Sequence, residues 1–309
     1  MRRKFWQFHP KYMNMNKNYP AKLILFGEYT VINNSEALAI PFRLFDGKWK
    51  FDSQNLSSAK DSSKKLFEIL SYLESNNFEG LDLLTFKTDI TNGIWFDSNI
   101  PFGYGLGSSG SLSAAIYDRY AKEKTSDLNE LRTILGKIES FFHGTSSGTD
   151  PLVSYLNKPI KINEDQSVSV LSELKNNEVG ETEIYVLDCG FARKSGKLVT
   201  DYLENCADRM FIENYVEPMQ KQVKNCIDAI ISGNNELKDS IKIISKLQLA
   251  HMKAMIPIQI QTLWKEGIDT EKFILKLCGA GGGGFMLAFC YDRHKLNFGN
   301  FTSYKVITQ

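Results

Sequence analysis

The residues best suited to chemistry in this 309-residue chain stand together in one stretch, GYGLGSSGSLSAAI at positions 103–116. The stretch contains four glycines and four serines and then becomes small and apolar, as at the start of a helix. Backbone N–H groups at a helix N-terminus bind anionic oxygens, and the helix dipole adds to the attraction. The hydroxyl of Ser108 or Ser109 could contact a phosphate or a Mg²⁺ ion. The stretch therefore predicts a loop that binds a triphosphate.

Other glycine-rich loops fit this stretch less well. The segment from Gly105 to Gly110 matches the GxGxxG pattern of dinucleotide-binding folds, but Pro101 interrupts the approach and the region that follows has a helical pattern. A Walker loop requires a lysine after the glycines, and a protein-kinase loop requires later HRD and DFG motifs; the sequence has neither. A tight packing turn remains the structural alternative.

Four ordered motifs give the chain a family resemblance. PFGYGLGSSG at 101–110 resembles the second motif of the GHMP kinases, PAKLILFGEYTVI at 20–32 resembles the first, and KLCGAGGGG at 276–284 resembles the third. FHGTSSGTD at 142–150 is similar to the H-G-x-x-S-G-x-D segment of the mevalonate kinase branch. The resemblance runs from about residue 20 to residue 300.

The resemblance implies an α+β protein with the two-domain GHMP kinase fold. Its N-terminal domain would be like the second domain of ribosomal protein S5, and its C-terminal domain would be ferredoxin-like. The resemblance also implies ATP and Mg²⁺ as cofactors. The residues expected to bind ATP belong to the second motif: Gly103, Gly105, Leu106, Gly107, Ser108, Ser109 and Gly110.

The same resemblance assigns catalytic and metal-binding roles. Asp150 would orient or deprotonate the attacking hydroxyl, and Lys22 would lie beside it, where a cation stabilises the aspartate's charge. Ser109 and Glu139 would hold Mg²⁺, an ion that prefers oxygen ligands. Taken singly, such a lysine or glutamate commonly faces solvent, and an aspartate before a proline commonly caps a helix.

The residues expected to bind the substrate are Glu28, Ser195, Gly281 and Gly282. The basic run from Arg193 to Lys197 could hold a substrate carboxylate or could be a solvated turn. His143 is expected to be packed in the core or hydrogen-bonded rather than catalytic.

The reaction implied is the ATP-dependent phosphorylation of mevalonate to 5-phosphomevalonate. One residue departs from the mevalonate kinase pattern, because Tyr29 follows Gly27-Glu28 where a histidine is common, and G-E-Y is also frequent in phosphomevalonate kinases. The alternatives are therefore a phosphomevalonate kinase, another GHMP small-molecule kinase, or a non-catalytic regulator with the same fold. Gly110 replaces the motif's usual alanine, a change that we expect the loop to tolerate.

The elements that must position these residues follow from hydrophobic spacing. The predicted strands are 22–26, 30–32, 37–40 (ending at Pro41), 49–51, 84–90, 94–96, 183–187, 273–276 and 285–289. Helices are predicted at 63–73, after the glycine loop, at 128–142, and through most of 199–264 with breaks at Gly233 and Pro257. Polar segments near 163–178 indicate a boundary between a domain at 1–178 and a domain at 179–309.

Composition excludes several classes of protein. Lys and Arg number 37 against 36 Asp and Glu, so the charge gives no support to broad nucleic-acid binding. Five cysteines without CxxC spacing predict reduced thiols, and the absence of a long apolar run predicts no membrane association. We therefore expect a cytoplasmic protein without nucleic-acid or membrane partners. The family resemblance implies a small-molecule substrate, and we expect a monomer or a homodimer.

Overall fold

The computed structural model describes residues 15–51, 57–172, 174, 182–192, 195–233, 237–291 and 297–306. Contacts divide the chain into two units, each built from several segments. Unit 1 is formed from Met1–Lys22, Pro41–Pro101 and Gly107–Asn157, and unit 2 from Leu23–Ile40, Phe102–Leu106 and Lys158–Gln309. The boundary predicted after residue 178 lies outside the described residues and stays a prediction.

Unit 1 is mainly helical. Its helices are α1 (Ser57–Ser75), α2 (Leu83–Thr91), α3 (Ser108–Tyr120), α4 (Leu128–His143) and α5 (Thr149–Leu156). Large apolar side chains such as Phe86, Trp49 and Tyr117 fill its core, and the indole N–H of Trp49 donates to the Ala115 carbonyl of α3 at 3.2 Å. Burying such aromatic surface supplies much of the free energy of folding.

Two long strands begin the fold, β1 (Tyr19–Phe26) and β2 (Ala37–Phe51). In unit 1 the end of β2 pairs antiparallel with β3 (Ile94–Ser98), with Gly47 opposite Ser98 and Phe51 opposite Ile94. In unit 2 the start of β2 pairs antiparallel with β4 (Ile160–Ile162), which pairs with β5 (Val168–Val170).

A second, four-stranded antiparallel sheet lies within unit 2. Its strands are β6 (Glu183–Asp188), β7 (Phe273–Leu277), β8 (Phe285–Cys290) and β9 (Ser303–Lys305), in the order β7-β8-β6-β9. The helices of this unit are α6 (Ser195–Asn205), α7 (Arg209–Phe211), α8 (Glu217–Ser232), α9 (Leu237–His251) and α10 (Ile258–Thr270). Every residue of β7 and β8 is buried, and α9 and α10 pack against β7. Mixed helices and antiparallel strands confirm the α+β class.

Most of the predicted elements are confirmed, but the segment 84–90 was predicted as a strand and is helix α2. Its apolar residues alternate at Leu84 and Phe86, which favoured a strand. The side chain of Asp82 accepts a hydrogen bond from the Thr85 N–H and starts a helix, on which Phe86 and Ile90 share the buried face. Leu84 is left 77% exposed.

The strand predicted at 30–32 is also wrong, because Thr30–Asn33 forms a 3₁₀ turn. The N–H of Val31 donates to the Gly27 carbonyl at 3.0 Å, and this local bond replaces a sheet ladder. The strand predicted to end at Pro41 continues to Phe51, with the proline inside β2. The helices in the described part of the chain include none with the length and hydropathy of a membrane span. All five cysteines are free thiols, as predicted.

Candidate active site

The strand that carries Lys22 is fixed by hydrogen bonds from two helices of unit 1. Ser111 of α3 donates to the Tyr19 carbonyl at 2.8 Å, and Ser154 of α5 donates to the Pro20 carbonyl at 2.6 Å. Both hydroxyls are buried, so each bond is protected from competition with water. The start of β1 is therefore held by the same two helices that carry the second motif and Asp150.

Lys22 and Asp150 form an ion pair, with 2.9 Å between the lysine Nζ and the aspartate Oδ1. The lysine side chain is 5% exposed and the aspartate side chain 28%, so the cation is enclosed while the carboxylate still reaches solvent. Gly107 lies against this pair: a Cβ at that position would stand 3.1 Å from the Asp150 Oδ2 and 3.1 Å from the Lys22 Cγ. The pairing expected of these two residues is present.

The second motif leads into α3. Gly103, Gly105 and Leu106 precede the helix, Gly107 is its N-cap with φ of 70°, and Ser108, Ser109 and Gly110 form its first turn. Gly107 has no side chain with which to cap the helix, so the N–H groups of the first turn remain available to an anion. The predicted loop-to-helix geometry is confirmed in this respect.

Ser109 and Glu139 also meet. The Ser109 hydroxyl donates to the Glu139 Oε1 at 2.9 Å, across the interface of α3 and α4. Glu139 is only 4% exposed, and burial raises the pKa of its carboxyl to about 7, with a further contribution from the charge of Asp150. Hydrogen bonds from Ser146 and Ser109, and the charge of Lys22, act in the opposite direction. The charges of Asp150 and Lys22 and the hydrogen bonds of Ser109 and Ser146 therefore all act on the Glu139 carboxyl.

The chemistry of this donor set fits Mg²⁺. The described residues contain no cluster of three or more His, Cys, Asp or Glu side chains that could hold a metal alone. One carboxylate and one hydroxyl fit an ion that takes its remaining ligands from phosphate oxygens and water. A buried carboxyl with a raised pKa also gains from a nearby cation, which favours its charged form.

Two further residues of the H-G-x-x-S-G-x-D segment join this group. The Nε2 of His143 lies 3.1 Å from the Ser109 hydroxyl, so the histidine is hydrogen-bonded, as expected, although its side chain is exposed rather than packed in the core. Ser146 donates to the Glu139 Oε2 at 2.5 Å. Ser146 was not predicted, because it occupies an unspecified position of the segment.

Glu28, predicted to bind the substrate, lies in a buried ion pair of unit 2. Its Oε1 is 2.6 Å from the Lys276 Nζ and accepts a second hydrogen bond from Gln248 at 2.7 Å. Its Oε2 is buried and has no hydrogen-bond partner among the described residues. Burial raises the pKa of Glu28, and the charge of Lys276 opposes that rise. The pair with Lys276 was not predicted, and the substrate-binding role of Glu28 stays a prediction.

The other residues expected near the substrate are in the same unit. Gly281 and Gly282 follow β7, and the Gly282 N–H donates to the Met255 carbonyl at 2.6 Å. Tyr29 donates to the Ala280 carbonyl at 2.6 Å, so the first motif contacts the third. Ser195 begins α6. Arg193 and Lys194 lie outside the described residues.

Comparison with known proteins gives a consistent result. Residues 65–158 match the model of the GHMP kinases N terminal domain. The mevalonate kinase of Pyrococcus abyssi is 26% identical over an alignment 315 residues long, gaps included. The alignment covers 89% of this chain and 88% of that protein.

Solved structures share the fold. The Methanococcus jannaschii mevalonate kinase aligns with a TM-score of 0.64 and 17% identity, covering 95% of this chain and 98% of that one. A Streptococcus pneumoniae phosphomevalonate kinase in complex with phosphomevalonate and AMPPNP aligns with a TM-score of 0.62 and 15% identity, covering 90% and 92%. The two-domain α+β GHMP kinase fold is therefore present, and the chain matches the GHMP kinase family model over residues 65–158 and is similar to mevalonate kinases along most of its length.

Proposed function

We propose that this chain transfers the γ-phosphoryl group of ATP to the primary hydroxyl of mevalonate, giving 5-phosphomevalonate and ADP. The observation that carries the proposal is the Lys22–Asp150 ion pair, 2.9 Å long, packed against Gly107 at the start of α3. A partly exposed carboxylate next to an enclosed cation, beside a helix N-terminus, suits the activation of a hydroxyl next to bound phosphates.

In this proposal Asp150 accepts or orients the hydroxyl proton. The hydroxyl oxygen forms a bond to the γ-phosphorus, the bond from that phosphorus to the bridging oxygen of ADP breaks, and the proton passes to the Asp150 carboxylate. Lys22 keeps the carboxylate in place through the ion pair and supplies positive charge to the same region.

ATP would lie along the loop from Gly103 to Gly110, with its phosphates at the first turn of α3. Ser109 and Glu139 would hold Mg²⁺. When bound, this ion neutralises negative charge on the phosphate oxygens. The presence of two contacting pairs, Lys22–Asp150 and Ser109–Glu139, that influence each other electrostatically argues for catalysis rather than for a regulator without activity.

Mevalonate is favoured as the substrate by the names of the sequence relatives and by charge. Phosphomevalonate carries about −1.5 to −2 more charge than mevalonate and requires additional cations. Two lysines of the predicted motifs, Lys22 and Lys276, are each paired with a carboxylate. The Oε2 of Glu28 would repel a second phosphate, whereas it could accept a hydrogen bond from a hydroxyl.

Phosphomevalonate is the second candidate, because Tyr29 gives the first motif the form G-E-Y. In this chain the Tyr29 hydroxyl contacts the Ala280 carbonyl and the ring lies 4.8 Å from the ring of Tyr202. Both contacts hold the first motif within unit 2, so they explain a tyrosine without a second phosphate in the substrate.

A comparison of substrates separates the two candidates. ADP release is measured in separate reactions with mevalonate and phosphomevalonate over the same concentrations, and with homoserine and galactose as further alcohols. We expect the highest kcat/KM with mevalonate. A higher kcat/KM with phosphomevalonate would show that the second candidate, indicated by Tyr29, is the substrate. The absence of turnover with any of these alcohols would contradict the proposed activity. We further propose a cytoplasmic location, which agrees with five free thiols.

A further inference from the structure

Both oxygens of the buried Glu139 carboxylate accept hydrogen bonds from serines. Ser109 reaches Oε1 at 2.9 Å and Ser146 reaches Oε2 at 2.5 Å. Ser109 belongs to the second motif, but Ser146 fills one of the unspecified positions in H-G-x-x-S-G-x-D. A buried carboxylate oxygen without a donor is costly, so the Ser146 hydroxyl restricts the orientation of Glu139.

The same hydroxyl reaches a second element. A hydroxyl has one proton to donate and two lone pairs that accept. The proton of Ser146 goes to Glu139, and its oxygen accepts a hydrogen bond from the Gly148 N–H at 3.0 Å. Gly148 is the N-cap of α5, and Asp150 is in the first turn of that helix. One side chain therefore connects the carboxylate of α4 with the helix that carries Asp150.

We propose that Ser146 is a positioning residue that fixes Glu139 relative to the start of α5. It thereby holds the proposed metal-binding carboxylate in a defined position relative to Asp150. The proposal rests on the proposed function for the roles of Glu139 and Asp150. Ser146 acts through Glu139 and is itself neither a ligand nor a base. Partners that orient metal ligands typically change metal affinity or activity by about 10–100-fold when removed.

The test compares Ser146→Ala with wild type in two measurements. The first is Mg²⁺-dependent binding of a non-hydrolysable ATP analogue, followed by calorimetry without any alcohol. The second is the Mg²⁺ concentration for half-maximal turnover. We expect both midpoints to rise about 10-fold, while the KM for mevalonate changes less than twofold. Ser146→Thr, which keeps the hydroxyl, should restore most of the loss.

Ser140→Ala is the matched control. Ser140 follows Glu139 directly in α4, but its hydroxyl donates to the Gly136 carbonyl and not to Glu139. We expect wild-type Mg²⁺ midpoints for this variant. Thermal unfolding of every variant shows whether it is folded, and Ser146→Cys, a weaker donor of similar size, replaces Ser146→Ala if the alanine variant is not folded.

Glu139→Gln separates failure of this inference from failure of the proposed function. If Glu139→Gln leaves both Mg²⁺ midpoints unchanged, the metal role of Glu139 is wrong and the inference fails with it. If Glu139→Gln raises the midpoints but Ser146→Ala has the same two Mg²⁺ midpoints as wild type, the positioning role alone is overturned. We expect Ser146→Ala to add no further shift when Glu139 is already glutamine, and an undiminished further shift would also overturn that role.

Discussion

At the scale of single residues, Glu139 is a buried carboxyl of the candidate site, only 4% exposed. Its pKa of about 7, against an ordinary value of 4.5, comes first from burial and then from the charge of Asp150. A carboxyl with a raised pKa is ionised less readily in the folded chain than in the unfolded chain. The folded chain therefore favours the protonated carboxyl. The stability contributed by this group is fully present below about pH 4.5, and the free energy of unfolding falls as the pH rises to about 7 and the carboxyl ionises.

Replacing Glu139 with glutamine should remove this pH dependence, because an amide does not ionise. We expect wild type to lose on the order of 1–3 kcal/mol relative to Glu139→Gln between pH 5 and pH 8. Urea unfolding at several pH values, in buffer with a chelator and no divalent cation, measures the difference. Glu204→Gln, at an exposed position, is the control. Parallel stability curves for wild type and Glu139→Gln would contradict this account of the carboxyl.

At the scale of elements, α3 and α5 approach closely where Gly110 faces the start of α5. A Cβ at Gly110 would stand 2.8 Å from the Cβ and the carbonyl carbon of Asp150 and 2.8 Å from the Pro151 nitrogen. Such distances are too short for real contacts and involve backbone atoms, which cannot move aside alone. The glycine, where the family motif has alanine, therefore permits this spacing of the helices.

Gly110→Ala should push α3 away from Asp150. We expect kcat to fall roughly 10–100-fold, because small displacements of reacting groups are costly, and the free energy of unfolding to fall by about 1–3 kcal/mol. Steady-state kinetics and urea unfolding measure both. Gly196 in α6 is the control, because a Cβ at this position would have no neighbour within 4 Å. The free energy of unfolding of Gly196→Ala should stay within about 1 kcal/mol of wild type. Wild-type kinetics in Gly110→Ala would show that the helices adjust without consequence.

Elements with a strong hydrophobic period were predicted correctly, as α4 illustrates. Leu131, Leu135 and Ile138 share its buried face, and Asp127 caps its first turn. The errors arose where local hydrogen bonds outweighed β-propensity. Asp82 starts α2 in a segment that alternates like a strand, and Val31 bonds to Gly27 in a β-branched segment.

Motif spacing predicted residues that the structure brings together, but not all of their contacts. Lys22, Ser109 and Asp150 could be named as candidates because their motifs specify residue types. Ser146 could not, since its position in the segment is unspecified. Lys276 was inside a recognised motif, yet its pairing with Glu28 depends on the packing of distant segments, for which one sequence contains no information.

At the scale of the whole molecule, the first motif contributes to both units. Lys22 ends the first segment of unit 1, and Glu28 follows β1 in unit 2. The match to Pyrococcus abyssi mevalonate kinase likewise runs over most of both chains, so the likeness is not confined to the N-terminal family domain at 65–158. The oligomeric state, expected to be a monomer or a homodimer, stays a prediction.

The measurement that tests the central claim most directly is the kcat of Asp150→Asn with mevalonate and MgATP. Asparagine has nearly the same shape, so the fold and the binding of ATP should be retained, but it cannot accept the hydroxyl proton. We expect kcat to fall roughly 10²–10⁴-fold, the range for loss of a general base, with the KM for ATP within a fewfold of wild type. A kcat within a fewfold of wild type would contradict the claim that Asp150, held by Lys22, activates the alcohol.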